Sequence, residues 1–287
     1  MDVDGDGIKD ILSGCYSRED QDMAGLFWLL RGKKEGGFAA PVALKGDDGK
    51  ELILPAGRGQ DDVISKICTR PSAVDLDGDG KLDLVVGNFA GTFHLVRGLG
   101  KGGFAAKAVP LLDKTGKALS VPHHSDPFPV DWDGDGDMDL LSGSNSGGAF
   151  LALNEGTKTA PSFTAFREIV PQNPVQFGAD MTFGEQHIKG PQASTRVWAD
   201  DVNGDGKLDL IIGDSAMIHT PGKGLDEATA RKKHAEHEEK LRKAMGEMSG
   251  DGVEITAESF DYQKHYEEGQ KIIKTTTTGF VWVLLGR

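Results

Sequence analysis

The sequence predicts an all-β protein in which four-stranded antiparallel sheets repeat as the blades of a β-propeller. Three observations carry this prediction: an aspartate-rich segment that occurs four times, short apolar runs between turn residues, and the same order of runs around each copy. Forty glycines in 287 residues, many of them bounding those runs, are typical of strands and turns. A unit of about 55–70 residues with four short strands matches a propeller blade, which must stack on others to bury its faces.

The four aspartate-rich segments align without gaps. Each ends in an apolar run and a glycine, so each predicts a loop, a strand and a turn. They are DVDGDGIKDILSG at residues 2–14, DLDGDGKLDLVVG at 75–87, DWDGDGDMDLLSG at 131–143 and DVNGDGKLDLIIG at 201–213.

The similarity continues on both sides of each loop. A second apolar run follows every loop, beginning at Gly25, Gly91, Gly148 and Gly279, and a third follows in three copies, beginning at Gly36, Gly102 and Pro161. Three copies share a lead-in segment six residues ahead of the loop: Thr69-Arg70-Pro71, Ser125-Asp126-Pro127 and Thr195-Arg196-Val197.

We therefore predict one propeller domain over residues 1–287, with the first unit lacking its first strand and the last lacking its fourth. The ring is then either open, or its two ends complete one blade between them. A serial β-sandwich is the competing architecture, and the constant phase of strand and loop disfavours it.

The repeated loop has the chemistry of a calcium site. In DxDGDGxxD the side chains at positions 1, 3, 5 and 9 converge, the position-7 carbonyl adds an oxygen, and the glycines permit the tight turn. Such close carboxylates repel one another without a cation. Oxygen ligands in flexible geometry favour Ca²⁺ over Mg²⁺, and the lack of Cys and His disfavours zinc and copper.

Up to four Ca²⁺ ions are expected. The predicted side-chain ligands are Asp2, Asp4, Asp6 and Asp10; Asp75, Asp77, Asp79 and Asp83; Asp131, Asp133, Asp135 and Asp139; and Asp201, Asn203, Asp205 and Asp209. The predicted carbonyl ligands are Ile8, Lys81, Asp137 and Lys207. Asn203 keeps the oxygen but drops a charge, so its loop is expected to bind most weakly.

The loops and their flanking strands resemble the FG-GAP/VCBS-type repeat of integrin-α-like β-propellers, over nearly the whole chain except residues from about 216 to 276. The likeness is strongest to multi-repeat bacterial versions whose last repeat holds a helical segment. It implies calcium in the blade loops, adhesive or ligand-binding roles, and an extracellular, periplasmic or cell-surface location. Some relatives act on polysaccharide. No signal peptide precedes the first loop, and we expect Met1 to be a start set within a longer protein.

A helical insertion is predicted at residues 222–273, within the last unit. The β pattern stops between Asp214 and Thr275, and the stretch from Leu225 to Met248 has high helix propensity. Thr256 is the predicted cap of a second, shorter helix. The insertion is either a solvated hairpin packed on the propeller or a partner-binding element or lid.

The lead-in segments supply the candidate ligand residues. Arg70, Asp126 and Arg196 occupy equivalent positions, and His124 lies nearby in sequence. If the lead-in strand is innermost, these side chains face the central channel and form an anion or sugar site. The alternative is a polar lining that satisfies its own hydrogen bonds.

Other chemistry-bearing residues have plainer interpretations. His234, His237 and His265 are expected to be solvated, and Trp28, Trp132, Trp198 and Trp282 to lie in the core. Cys15 and Cys68 are two buried thiols or form one bridge.

Net charge, apolar runs and motif content disfavour several classes of function. The net charge of −13 disfavours nucleic acid and anionic lipid as partners. No apolar run approaches the roughly 18 residues that predict a membrane span. Calcium-saturated carboxylates are poor acid–base catalysts, and no nucleophile elbow, P-loop or HExxH motif is present, so no catalytic residue is predicted.

The sequence therefore predicts a calcium-binding, non-catalytic module for a protein or carbohydrate ligand. Two alternatives stay open. One is a polysaccharide-active enzyme (lyase or hydrolase) with its site in the channel or under the insertion. The other is a structural fragment of a larger surface protein.

Overall fold

The computed structural model describes residues 1–18, 23–55, 63–248 and 261–286. Four antiparallel sheets follow one another along the chain in a four-blade β-propeller arrangement, and two helices lie within the last unit. The predicted all-β class and propeller architecture are confirmed. Neither described helix is long and apolar enough to cross a membrane.

Each blade is one sheet of short strands. Blade 1 contains β1 (Ile11–Gly14), β2 (Phe27–Leu30) and β3 (Val42–Ala43). Blade 2 contains β4 (Arg70–Val74), β5 (Asp83–Gly87), β6 (Phe93–Val96) and β9 (Val109–Pro110), with a separate hairpin of β7 (Gly98–Gly100) and β8 (Gly103–Phe104). Blade 3 contains β10 (Asp126–Val130), β11 (Asp139–Gly143), β12 (Ala149–Ala152) and β13 (Arg167–Val170). Blade 4 contains β14 (Ala193–Asp200), β15 (Asp209–Pro221), β16 (Ile273–Thr278) and β17 (Val281–Leu284).

The aspartate-rich loop is the connection of the first hairpin in blades 2, 3 and 4. In each, the last residue of the lead-in strand pairs with the ninth loop residue: Val74 with Asp83, Val130 with Asp139 and Asp200 with Asp209. In the described ranges, blade 1 has no lead-in strand, and no strand follows β17 at the outer edge of blade 4, because β16 pairs with the extension of β15 instead; both agree with the prediction. The two ends of the described chain lie in separate sheets, so they do not complete one blade together.

The core lies between neighbouring blades. Three buried apolar clusters join blades 1 and 2, blades 2 and 3, and blades 3 and 4. A strand with both faces buried contributes alternate side chains to two of these clusters. In β5, Leu84 and Val86 face blade 1, whereas Val85 faces blade 3. Burying each such side chain contributes about 1.5–3 kcal/mol, which explains the continuous apolar runs that follow the loops.

A buried Ser or Thr hydroxyl, which we call the latch, hydrogen-bonds each of blades 2, 3 and 4 to the blade before it. Thr69 Oγ1 accepts a hydrogen bond from Cys15 N at 3.1 Å and donates to Leu26 O at 3.0 Å. Ser125 and Thr195 do the same across the next two interfaces. The glycine that ends the loop strand permits this approach, because an added Cβ at Gly14, Gly87 or Gly143 would overlap the carbonyl oxygen of the latch residue.

The insertion is more tightly joined to blade 4 than the sequence indicated. The prediction that the β pattern stops at Asp214 is wrong: β15 continues to Pro221 and pairs with β16, whose first residue Ile273 lies opposite Pro221. The helices α1 (Glu227–Met248) and α2 (Tyr262–Ile272) follow from that hairpin, and the predicted first helix is confirmed. Asp261 caps α2 by accepting from Lys264 N at 2.9 Å, and the predicted cap Thr256 lies outside the described residues.

Two expectations about side-chain burial need correction. Trp198 is 55% exposed, because no described blade follows blade 4 and Phe128 of β10, 4.8 Å away, covers the ring only in part, whereas the other three tryptophans are half-buried. His234, His237 and His265 are half-buried rather than solvated, because the helices fold against β15. Cys15 and Cys68 are unbridged and half-buried.

Candidate functional site

The four aspartate-rich loops share one backbone conformation. The glycines at positions 4 and 6 have positive φ, between 70° and 95°, as the tight turn requires; they are Gly5, Gly7, Gly78, Gly80, Gly134, Gly136, Gly204 and Gly206. The first aspartate then gathers backbone donors. Asp2 accepts from Gly5 N and Gly7 N, both at 2.8 Å, and Asp201 accepts from Gly204 N at 2.7 Å and Gly206 N at 2.8 Å. Hydrogen bonds led by that from Gly206 lower the pKa of Asp201.

Three of the loops bring three carboxylates together. One oxygen from each lies within 4.8 Å of the others in the sets Asp2, Asp4 and Asp6; Asp75, Asp77 and Asp79; and Asp131, Asp133 and Asp139. In the fourth loop Asn203 replaces the second carboxylate, and its amide donates to Asp205 Oδ2 at 3.2 Å. Three of the predicted side chains therefore converge in each of the first three loops, and position 9 is among them in the third.

The ninth aspartate also has a structural role that the sequence did not indicate. Asp139 is buried and accepts from Trp132 N at 2.9 Å and from Asn154 N at 2.7 Å. Asp10 and Asp209 make the equivalent pairs of bonds. The carboxylate thus joins the loop to the residues that directly follow the next strand of the same blade. Burial raises the pKa of Asp83 and of Asp139 despite these bonds.

Basic side chains partly neutralise the first two loops. Arg31 Nε lies 2.7 Å from Asp4 Oδ2, and the equivalent Arg97 forms an ion pair with Asp77. Lys81 pairs with Asp79 at 2.8 Å, and this contact lowers the pKa of Asp79. At position 7 the predicted ligand is the backbone carbonyl rather than the side chain; the residues are Ile8, Lys81, Asp137 and Lys207. The backbone amide of each donates a hydrogen bond to the position-5 side chain at 2.8–3.0 Å. Coordination by their carbonyls stays a prediction.

The donor set of the loops fits a hard divalent cation. Asp75 Oδ1 is buried without a hydrogen-bond partner, whereas the corresponding oxygens of Asp2, Asp131 and Asp201 accept backbone amides. A buried carboxylate oxygen without a donor is costly unless a cation faces it. In the third loop the neighbouring carboxylates add to burial in raising the pKa of Asp137. Both observations fit Ca²⁺, which takes several oxygen ligands.

The four candidate ligand residues lie together where the lead-in strands of neighbouring blades meet. Strands β4, β10 and β14 contact one another in sequence order. Asp126 lies between two arginines: its Oδ1 is 3.8 Å from Arg70 Nη1 and its Oδ2 is 3.4 Å from Arg196 Nε. Arg70 Nη1 is buried and makes no hydrogen bond. The cluster therefore carries two guanidinium groups for one carboxylate.

His124 borders this cluster. Its ring lies 4.1 Å from the ring of Phe89, and its Nδ1 is buried without a partner. Burial, reinforced by the charges of Arg70, His123 and Arg196, lowers the pKa of His124 to about 4. Burial raises the pKa of Asp126, although Arg196 and Arg70 oppose the shift.

A pocket of about 430 Å³ lies between the insertion helices and the β15–β16 hairpin. His219, His234, His237 and His265 line it, together with the exposed aromatic residues Phe177 and Tyr266. His219 is buried, its Nδ1 contacts Thr275 Oγ1 at 2.9 Å, and its Nε2 has no partner. No sequence pattern indicates this grouping, because His219 lies on a strand extension that the pattern did not predict.

Comparison with known proteins agrees with the geometry of the repeats. The FG-GAP-like repeat family matches the chain twice, over residues 75–142 and 131–212. These matches contain the second, third and fourth loops with most of their flanking strands. Residues 75–212 are therefore made of FG-GAP-type repeats, within a chain that has a β-propeller arrangement. No curated protein matches the sequence.

Proposed function

We propose that this chain is a non-catalytic, calcium-binding propeller module that binds a protein or a carbohydrate. The observation that carries the proposal is the convergence of three carboxylates within 4.8 Å in each of three repeated loops. Calcium would neutralise this charge and fix the hairpin connections of the blades. The carboxylates that hold the ion would then act in stability rather than in proton transfer.

The expected location outside the cytoplasm is consistent with this role. Calcium modules of extracellular proteins bind with dissociation constants on the order of 10⁻⁴–10⁻³ M, which suits exposed loops partly neutralised by arginine. Arg31 and Arg97 provide that neutralisation in the first two loops. A test is titration of the chain with Ca²⁺ and Mg²⁺ by calorimetry. Saturable Ca²⁺ binding by the chain, weakened when Asp75 and Asp131 are replaced by Asn, supports the proposal, and no binding at millimolar Ca²⁺ contradicts it.

The ligand site is proposed at Arg70, Asp126, Arg196 and His124. Two guanidinium groups against one carboxylate leave a local positive charge in a chain whose net charge is −13. Guanidinium forks bind carboxylates in two-point contacts, so the cluster suits an acidic sugar or an acidic side chain of a protein.

Oligogalacturonate, with its neutral methyl ester as comparison, is a direct probe of this site. We expect the acid to bind and the ester to bind at least about tenfold more weakly, which corresponds to one lost charged contact of about 1.4 kcal/mol. Arg196→Ala should remove the difference, whereas Arg242→Ala, on an exposed face of α1, should not. Equal binding of acid and ester by the unaltered chain contradicts an anion site.

A second candidate function is favoured by the pocket under the insertion. An imidazole kept neutral by burial and with one unpartnered nitrogen is a suitable proton acceptor, and His219 meets both conditions. This would support the polysaccharide-active alternative. Incubating the chain with acidic and neutral polysaccharides, beside a His219→Gln variant, tests it. Cleavage that the variant loses supports an enzyme, and the absence of cleavage in both leaves the binding module as the function.

A further inference from the structure

The face of blade 4 that points away from blade 3 exposes residues that are buried in every other blade. Val281 pairs with Gly213 in the same register in which Phe27, Phe93 and Ala149 pair with the corresponding glycines of blades 1, 2 and 3. Those three residues are at most 1% exposed, whereas Val281 is 74% exposed.

The next position on the same face repeats the difference. Val283 corresponds to Leu29, Leu95 and Leu151, which belong to the three interblade clusters and are at most 5% exposed. Val283 is 53% exposed, and Trp198, two strands away on β14 and in register with it through Ile211, is 55% exposed, with its ring 4.8 Å from that of Phe128. Val281, Val283 and Trp198 form what we call the open face of blade 4. Within the described ranges, no buried cluster covers it.

The backbone of blade 4 gives independent evidence that no further blade is packed on this face. In blades 1, 2 and 3 the latch hydroxyl of the following blade sits between the amide after the loop glycine and the carbonyl before the next strand. In blade 4 these two groups, Asp214 N and Phe280 O, bond to each other at 3.1 Å. A Cβ on Gly213 would meet nothing within 4 Å, although the same atom on Gly143 would overlap Thr195.

We propose that the open face of blade 4 is a docking surface for one further, complete blade of the same repeat type. Its partner chemistry follows from the three observed interfaces: an apolar sheet face that packs on Val281 and Val283, and a lead-in Ser or Thr whose hydroxyl inserts between Asp214 N and Phe280 O. Apolar faces of this kind are rarely left in water by a soluble protein.

In the described ranges, the sheet of blade 1 begins at the strand after the loop and shows no lead-in strand that carries a Ser or Thr. This part of a second copy therefore presents an apolar face without the hydroxyl found at each of the three observed interfaces. A complete blade, such as the unit that contains Ser125 and the third loop, has both parts.

A copied blade tests the proposal. Residues 99–154 are appended after Gly286, because Gly98 N and Gly286 N make equivalent bonds to Asp83 and Asp209. The copy supplies a fourth strand for blade 4, then a lead-in Ser, a loop and three strands. We expect the reaction of a thiol reagent with Val281→Cys, followed at that site by mass spectrometry, to slow at least tenfold on extension, while exposed Phe38→Cys is unchanged.

Gly213→Val in the extended chain should restore the reaction of Val281→Cys, because the side chain would overlap the latch. An extended chain whose copied blade resists protease while Val281→Cys stays reactive overturns the proposal. So does protection of Val281→Cys in the unextended chain, since a second copy would then cover the face.

The unextended chain offers one more comparison: Gly143→Ala should lower the unfolding midpoint while Gly213→Ala does not, and equal effects would overturn an open face.

Discussion

Thr195 Oγ1 accepts a hydrogen bond of 2.9 Å from Ser144 N, and both residues are fully buried between blades 3 and 4. The same oxygen donates to Gly148 O at 2.7 Å. One hydroxyl thus satisfies two backbone groups of the previous blade. The lead-in Ser or Thr was recognised in the sequence as part of the repeat, but its role depends on the position of the next blade.

Replacing Thr195 with Val should destabilise the fold. The change keeps the shape but leaves Ser144 N and Gly148 O without their partner, which costs about 1–3 kcal/mol of unfolding free energy. Urea denaturation measures the loss. Thr195→Ser is the matched control, because Ser125 performs the same role one blade earlier, and it should cost much less. If Val and Ser variants unfold at the same urea concentration, the latch does not stabilise the interface.

The local parts of the fold were predictable, and the parts that depend on distant chain were not. Loop, strand and turn follow from consecutive residues, so the four loops and most strands were found. The bond from Asn154 N to Asp139 joins residues 15 apart, and the Arg31–Asp4 pair spans 27, so both depend on strand register. Trp198 was misassigned to the core because its exposure is decided by a neighbouring blade.

The grouping of the lead-in arginines and aspartate was predictable from the repeat, whereas their role in ligand binding stays a prediction. Arg70, Asp126 and Arg196 are equivalent positions in three repeats, so a common axis brings them together. The histidine pocket has no such internal symmetry. It forms only because the β15–β16 hairpin extends beyond the repeat and carries His219 up to the helices.

Asn203→Asp should tighten calcium binding at the fourth loop. The change restores the carboxylate that the other three loops have, and calcium affinity rises with the number of charged ligands, so we expect about 3- to 10-fold. Calcium titration in competition with a chelating dye measures it. Gln176→Glu, which adds the same charge outside the loops, serves as control. An unchanged affinity in Asn203→Asp would show that the fourth loop does not hold the ion.

His94 should make the stability of the fold fall in mild acid. It occupies the position of Trp28, Phe150 and Trp282, and burial lowers its pKa from 6.5 to about 4. The neutral ring is favoured in the fold, so its contribution is complete above pH 6.5 and is lost as the pH falls toward 4. The loss reaches up to about 3 kcal/mol.

His94→Phe isolates that effect, since the other blades place an aromatic ring at the same site. The difference in unfolding free energy between the two proteins, measured from pH 7.5 to 4.5, should shift progressively in favour of the variant. Parallel curves for the two proteins over this range would mean that His94 ionises as easily in the fold as in the unfolded chain.

Asp126→Asn should destabilise the meeting point of the lead-in strands. It leaves Arg70 and Arg196 facing each other without the carboxylate between them. The pairs are partly exposed, so we expect a loss of about 1–2 kcal/mol in urea denaturation, below the 3–5 kcal/mol of a fully buried pair. Glu155→Gln removes the exposed Lys114 pair and should change stability by less than about 0.5 kcal/mol. Equal losses of unfolding free energy for Asp126→Asn and Glu155→Gln would show that the ion pairs of Asp126 stabilise the fold no more than an exposed pair does.

The thermal unfolding midpoint in 2 mM CaCl₂ against that in EDTA tests the central claim most directly. At 2 mM Ca²⁺ and dissociation constants on the order of 10⁻⁴–10⁻³ M, each loop adds about 0.6–1.8 kcal/mol by linkage, and each kcal/mol raises the midpoint of a domain of this size by about 2–4 °C. We therefore expect Ca²⁺ to raise the midpoint by several degrees, Mg²⁺ to raise it less, and Asp75→Asn with Asp131→Asn to reduce the rise. An identical midpoint in CaCl₂ and EDTA would contradict calcium as a structural part of this propeller.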